Sequence, residues 1–337
     1  MDILFINPGS SKEVYQGLST DYAGIGTPYW ALLLSQSCRS QGYKVGILDI
    51  LAEGISRKDA VERIKTLNPR LISVCVYGEN VNSGTTQMSG AVKLANLIKE
   101  SGVDIPISFV GSHVQALPYK VLNEEPNIDI IFTNEGVYSL WNILKLNDFT
   151  DIKQLETING IGFIKDGKPF LTKPEKIVPN DRMDLDLPGY AWDLLPYKET
   201  PFDLYRSPMW HGEYDHDKRT PYAALYTSLG CVFQCEFCMI NILNRDDNEE
   251  IGVAGNYNKM RFWSPEFIIK EFDKLIEMGV ETIRIADEMF LLNPKYYIPL
   301  VDLLAERNKK DNLRIWAYSR VDTIRRPGIL KNLRKAG

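Results

Sequence analysis

The chain has 337 residues, of which 44% are hydrophobic and 25% charged, and its formal net charge is −5. That length holds about two domains of ordinary size, and the balance of apolar and charged residues excludes a disordered chain. The acidic charge offers no electrostatic footprint for nucleic acid, and no apolar run approaches the ~20 residues of a membrane span. The N-terminal MDILFINPGS reads as a first strand and has no basic region or cleavage pattern of a signal peptide, so a cytoplasmic protein is expected. Five cysteines are present. Cys38 and Cys75 sit in apolar patterns and read as small core residues, whereas Cys231, Cys235 and Cys238 crowd together. An odd count without a secretion signal argues for a metal or catalytic role in a reducing compartment, against a disulfide framework.

From residue 1 to about 146, β-rich runs alternate with helical patterns. The expected strands are Ile3–Asn7, Lys44–Asp49, Leu71–Tyr77, Ile107–Val110 and Ile128–Thr133. Thr27 and Pro28 offer an N-cap and a first-turn proline for a helix ending near Gly42, and Ala91, Leu94, Ala95 and Ile98 mark the apolar face of another. Alternating β and α with continuously apolar strands predicts a doubly wound, Rossmann-like α/β domain with a parallel sheet covered on both faces. Ligands of such sheets bind outside the carboxyl ends of the strands. Those ends here carry Asn7-Pro8-Gly9, Tyr77-Gly78-Glu79-Asn80, Gly111-Ser112-His113 and Asn134-Glu135-Gly136, where glycine permits close approach of a large ligand. The dinucleotide fingerprint does not follow the first strand; Gly24-Ile25-Gly26 lies too far downstream.

FVGSHVQALP and IDIIFTNEGVYSLWNIL resemble the Gly-Gly-x-His and Gly-Glu-Gly loops of the B12-binding domains fused to radical S-adenosylmethionine (SAM) enzymes, and the stretch from Gly24 to Ile50 resembles their first helix and second strand. The resemblance implies a cobalamin site at Tyr77, Gly78, Gly111, Ser112, His113, Glu135 and Gly136. Ser112 stands where a second glycine is usual, and Asn134 replaces the glycine before Glu135. The Asp-x-His-x-x-Gly motif of other cobalamin proteins is absent, which implies a bound corrinoid with its dimethylbenzimidazole tail displaced and no histidine of that motif on cobalt.

Residues 147–220 read as an interdomain linker. Asp166-Gly167 is a turn signal between Ile161–Ile164 and Pro169–Thr172, and a Pro- and Asp-rich stretch follows. His211 and His216, in WHGEYDHDKRT, read as exposed loop histidines or as additional metal ligands.

Residues 221–337 begin with a strand, Ala223–Thr227, and continue into TSLGCVFQCEFCMI. Three thiolates in this spacing can grip one face of a cubane cluster and leave the fourth iron open. An open iron is what chelation by the amino and carboxylate groups of SAM requires, and the spacing, with Phe237 before the last cysteine, resembles the radical SAM signature. A structural zinc site needs four ligands, for which His211 or His216 is the alternative completion; an electron-transfer cluster needs a fourth cysteine, and none follows Cys238. Downstream, Ser264-Pro265-Glu266 opens a helix with Ile268, Phe272, Leu275 and Ile276 on its apolar face, closed by Gly279. A strand Glu281–Ala286, a helix carrying Tyr297, Leu300, Val301 and Leu304, a strand Leu313–Tyr318 and a terminal helix capped by Gly337 follow. This β-α-β-α-β order predicts parallel strands with active residues at their C-terminal ends.

The segments RFWSPEFIIKEFDKLIEMGVETIRIADEMFLLNP and RIWAYSRVDTI resemble cobalamin-dependent radical SAM enzymes. By that resemblance Asp287 and Glu288 stand where the SAM amino group is met, and Arg320 stands near the SAM carboxylate. The implied cofactors are a [4Fe-4S] cluster on Cys231, Cys235 and Cys238, SAM and cobalamin. The implied activity is reductive cleavage of SAM with methyl transfer to an unactivated carbon, supplied with electrons by a flavodoxin or ferredoxin. Radical cyclisation, oxidation or rearrangement, and a cofactor-binding remnant or partner subunit without turnover, are the alternatives. Only three barrel strands are legible, the first half of a partial barrel. A fragment, a shortened product or half of an assembly completed by another chain is therefore expected, with a cluster but little complete turnover of its own.

Overall fold

The computed structural model describes residues 1–19, 24–198, 205–206, 221–240, 259–309 and 313–337. Two compact units emerge. The first comprises Met1–Ser19, Trp30–Leu195 and Val232–Asn258, and the second Thr20–Tyr29, Pro196–Cys231 and Lys259–Gly337.

Seven strands form the sheet of the first unit: β1 (Ile3–Asn7), β2 (Val45–Asp49), β3 (Leu71–Cys75), β4 (Ile107–Val110), β5 (Ile130–Phe132), β6 (Ile161–Lys165) and β7 (Lys168–Leu171). Their order is β2-β1-β3-β4-β5-β6-β7, with β1 to β5 parallel and β6 and β7 antiparallel. Helices cover such a sheet on both faces, so both faces of its strands must be apolar. Ile3, Leu4, Phe5 and Ile6 accordingly have no exposed surface, nor do Leu71, Ile72 and Val74. The helix Thr85–Glu100 buries Ala91, Leu94, Ala95 and Ile98, as its periodicity predicts. Cys38 and Cys75 are buried in this core, and burial pushes both thiols up, away from thiolate chemistry.

Strand order reverses between β1 and β3, which makes their C-terminal ends the switch point where ligands of open α/β sheets bind. Ser10, just past β1, fixes one wall of that crevice. Its hydroxyl donates to Gln87 O at 3.0 Å and accepts the Gly90 N–H at 2.9 Å, tying the loop to the helix Thr85–Glu100.

The hairpin β6–β7 corrects the expected linker over 147–220. Ile131 pairs with Gly162 and Phe132 with Ile161, so the hairpin extends the domain sheet. Without it β5 would present an open row of backbone donors and acceptors. With it, Ile161 and Phe163 reach the core at 0% and 1% exposure. The segment after the hairpin is held through Asp186, whose carboxylate accepts from Arg182 at 2.7 and 3.1 Å and from the Tyr138 hydroxyl at 2.6 Å.

Burial raises the Asp186 pKa, but the Arg182 and Tyr138 hydrogen bonds and the Arg182 charge outweigh it, and the carboxyl is held below its usual value. A depressed carboxylate stabilises the fold above its unfolded pKa, and that contribution is lost as pH falls through the folded value. D186N should therefore cost about 1 kcal/mol at pH 7, because Arg182 is half exposed and its pairing is screened. The difference from wild type should shrink below about pH 4, as read from urea midpoints at both pH values. An equal deficit at both would remove the ion pair as its cause.

In the second unit β8 (Tyr222–Leu225), β11 (Thr282–Ile285) and β12 (Arg314–Ala317) form a parallel sheet in the order β12-β11-β8. The helix Pro265–Glu277 crosses from the first to the second of these strands. Ser264 caps it by accepting the Phe267 N–H at 3.2 Å, with Pro265 in the first turn. Ile268, Ile269, Phe272 and Leu275 face inward, while Ile276, expected on that face, is 38% exposed. The helix Pro294–Arg307 buries Tyr297, Leu300, Val301 and Leu304. A short antiparallel pair, β9 (Ser228–Gly230) with β10 (Met260–Phe262), leads into Cys231. No periodicity announces strands of three residues. Among the described residues no helix is long and apolar enough to cross a membrane.

Candidate functional site

At the C-terminal end of the first unit's sheet, β3 and β4 lead into Tyr77-Gly78 and Gly111-Ser112-His113. The Tyr77 ring stacks on Trp30 at 4.8 Å with planes 13° apart, and its hydroxyl accepts from Gln115 Nε2 at 3.3 Å. Gly111 has φ +149°, and a Cβ there would lie 2.1 Å from Val76 O. At Gly78 a Cβ would lie 2.0 Å from Ser83 Oγ. A side chain at either position would collide with the neighbouring loop, so glycine is required there.

Ser112 is 1% exposed, and its Oγ is buried without a hydrogen-bond partner, as is Gln115 Oε1. The other end of the Gln115 amide donates to Asn134 O at 2.6 Å. Two unsatisfied side-chain oxygens at a switch-point mouth match a ligand bearing many amides, such as a corrinoid, so the residues fit that group. His113 Nδ1 lies 2.9 Å from Thr85 Oγ1, and burial, together with the Lys120 charge, lowers its pKa and keeps the ring neutral at pH 7.

Two positions after β5 are occupied in ways the sequence did not disclose. Asn134 accepts the Gly136 N–H at 2.9 Å and donates to Glu175 O at 2.7 Å, so the residue that departs from the glycine pattern ties the loop to the segment beyond the hairpin. Glu135, expected at the cofactor, is 2% exposed and accepts the Val178 N–H at 2.7 Å. Its carboxylate clamps the covering segment. Gly136 keeps a left-handed conformation at φ +83°.

In the second unit, Cys231 follows β9 directly and is 7% exposed. Cys235 and Cys238 belong to the segment Val232–Asn258 of the first unit; Cys235 is exposed and Cys238 half-buried, joined by a turn in which the Cys238 N–H donates to Cys235 O at 3.0 Å. Phe237 is 80% exposed. Among the described residues no three His, Cys, Asp or Glu side chains are grouped to hold a metal ion. As a donor set the three thiols nonetheless fit an iron–sulfur cluster, because no disulfide consumes them and two are accessible. His211 and His216 lie outside the described residues.

The strand-end residues divide. Asp287 is 1% exposed, and its carboxylate accepts from Thr227 N at 2.6 Å, Thr227 Oγ1 at 2.7 Å and Ser228 Oγ at 2.6 Å. Its carboxylate thus faces Thr227 and Ser228. The reason is that β8 and β11 are neighbours, so the donors after β8 reach it first. Glu288 is half-buried beside it in sequence. Arg320 is exposed, and its Nε donates to Asp322 at 3.0 Å. Sequence reasoning missed Arg284, which is 3% exposed on β11 with its guanidinium 4.9 Å from the Trp316 ring and 5.6 Å from that of Tyr318. An arginine between isoleucines in a buried strand was the available signal.

The fold and these residues together define an α/β protein with a doubly wound sheet, a second sheet of parallel strands flanked by helices, and three closely spaced cysteines after β9. The B12 binding domain family matches residues 15–143, and the radical SAM superfamily matches residues 225–337. The chain therefore joins a B12 binding domain to a domain of the radical SAM superfamily.

Among its relatives, an uncharacterized methyltransferase of Pyrococcus horikoshii is 25% identical over 327 residues, covering 96% of this chain and 61% of that protein. The anaerobic magnesium-protoporphyrin IX monomethyl ester cyclase of Cereibacter sphaeroides is 22% identical across 100% of this chain and 49% of its own length. The chain thus spans about half to three-fifths of these relatives. In fold it is similar to the cobalamin-dependent SAM radical enzyme OxsB, solved with aqua-cobalamin and SAM bound (TM-score 0.67, 18% identity, 99% of this chain and 41% of that one). It is also similar to the radical SAM methyltransferase TsrM of Kitasatospora setae, solved with cobalamin and a [4Fe-4S] cluster bound (TM-score 0.67, 15% identity, 100% of this chain and 59% of that one).

Proposed function

We propose that this chain acts in cobalamin-dependent radical SAM methyl transfer, in the cytoplasm, to a carbon of a substrate still to be found. The observation that carries the reading is the joining, in one chain, of a B12-type switch-point sheet to a radical SAM domain, with three cysteines outside any disulfide following β9. When bound, the cluster, SAM and the corrinoid supply an electron, a carbon radical initiator and a methyl carrier. Cys231, Cys235 and Cys238 would be drawn together as the three ligands of the cluster, leaving one iron for SAM. Asp287 and Glu288, at the C-terminal end of β11, would stand toward the SAM amino group. Ser112 and Gln115 would donate to or accept from the amide side chains of the corrinoid, and Phe237 would cover the cluster from solvent. A flavodoxin or ferredoxin is the proposed electron donor.

The cyclase relatives support a second reading, radical chemistry other than methyl transfer. Anaerobic reconstitution of the chain with iron, sulfide and hydroxocobalamin, followed by methyl-labelled SAM, tests the first. About four irons per chain and label recovered in the corrinoid fraction are expected. Iron and 5′-deoxyadenosine without labelled corrinoid would favour the second reading. Stoichiometric zinc without iron uptake would overturn both.

A further inference from the structure

The buried carboxylate of Asp287 has more donors aimed at it than any sheet needs. β8 and β11 pair through Ile285, and the Ala286 N–H extends the ladder to Leu225 O at 2.7 Å. One residue later the backbone bonding gives way to a side chain. Asp287 Oδ1 takes the Thr227 N–H, and Oδ2 takes the hydroxyls of both Thr227 and Ser228, all within 2.7 Å. A fourth contact closes the corner from outside: the Tyr296 hydroxyl donates to Thr227 O at 2.6 Å. Thr227 and Ser228 are 0% and 3% exposed. Ser228 is also the first residue of β9, whose pairing with β10 ends at Gly230, immediately before Cys231.

We propose that Asp287 is the positioning residue of the cysteine loop: it fixes the Thr227–Ser228 corner so that β9 delivers Cys231 at a set place and angle. The chain turns sharply between β8 and β9, and a corner of that kind is held only where its backbone and hydroxyl groups have fixed partners. A carboxylate accepting three hydrogen bonds provides them. Buried and aimed at Thr227 and Ser228, Asp287 acts through those two residues. Cys231 is the buried member of the three cysteines, so its placement is set by the fold, whereas Cys235 and Cys238 lie on the accessible part of the loop. Placing one ligand rigidly lowers the ordering cost of closing the other two around a cluster.

The inference rests on the reading of the three cysteines as cluster ligands, and its test keeps the two apart. Wild type, D287N, S228A and T227S chains are reconstituted anaerobically. Iron per chain, the rate of iron loss to a chelator, the spectrum of the reduced cluster and the thermal midpoint of the apo-protein are measured. S228A removes a single hydroxyl and guards against failure of D287N to fold. T227S keeps both donors and should match wild type in iron content, iron loss and cluster spectrum. Expected are an apo midpoint close to wild type for S228A, and iron loss about tenfold faster for S228A and more for D287N, with a broadened cluster spectrum. Folded D287N and S228A chains that hold iron with wild-type kinetics would overturn the proposal, leaving Asp287 only a sheet contact. No iron uptake by wild type itself would overturn the cluster reading, and this inference with it.

Discussion

A chain with Cys231, Cys235 and Cys238 all replaced by alanine should take up no iron on anaerobic reconstitution, against about four irons per wild-type chain. The effect is close to total because no other described group can substitute. Cys38 and Cys75 are buried in the core of the first unit with their thiols pushed up, so neither offers a thiolate. The fold should survive the change. Cys235 is exposed and Cys238 half-buried, so their sulfurs contribute little to packing, and only Cys231, 7% exposed, leaves a small gap. A buried deletion of that size costs about 1 kcal/mol, small beside the stability of a domain. Iron and sulfide content, visible absorbance and far-ultraviolet circular dichroism check both halves. Retained iron in the folded triple variant would remove these cysteines as ligands.

G111A should be the most damaging single methyl in the first unit. Its Cβ would sit 2.1 Å from Val76 O and 2.4 Å from Val76 C, both backbone atoms that no rotamer change can move aside. Those atoms belong to the centre of the sheet, where the Val76 N–H donates to Val110 O at 2.7 Å. Relief therefore requires β3 and β4 to part at their C-terminal ends, and a cost of about 3–5 kcal/mol is expected from strain plus broken pairing. G102A isolates the conformational component: Gly102 has φ +73°, but nothing lies within 4 Å of the added carbon, so about 1 kcal/mol is expected there. Urea unfolding of the three proteins checks the pair. Equal costs at the two sites would show that contact with Val76 is not what demands glycine at 111.

Glu135 and Asn134 show where reading from the sequence reached its limit. The loop after β5 is legible as a strand end, expected at the cofactor, and Gly136 takes a left-handed conformation there. That Glu135 would bond Val178, 43 residues later, and Asn134 would bond Glu175, 41 residues later, depended on the hairpin β6–β7 folding back over the sheet. A turn signal at Asp166-Gly167 announces a hairpin but not the edge it will join, because backbone pairing carries no residue code of its own.

The amino-acid sequence by itself determined the five parallel strands of the first unit and the three of the second. Strands buried on both faces must be apolar throughout, and that shows in a linear reading. It also showed the helices Tyr29–Ser40, Thr85–Glu100, Pro265–Glu277 and Pro294–Arg307, but not Arg57–Leu67, and the spacing of the three cysteines. Only the tertiary structure decided that the supposed linker completes a seven-stranded sheet, that Arg320 pairs with Asp322, and that Asp287 turns inward to Thr227 and Ser228. The physical reason is common to the sheet edge and to Asp287: a polar group bonds the nearest donor or acceptor in space. For Asp287 that partner, 60 residues away along the chain, is brought near only by the pairing of β8 with β11.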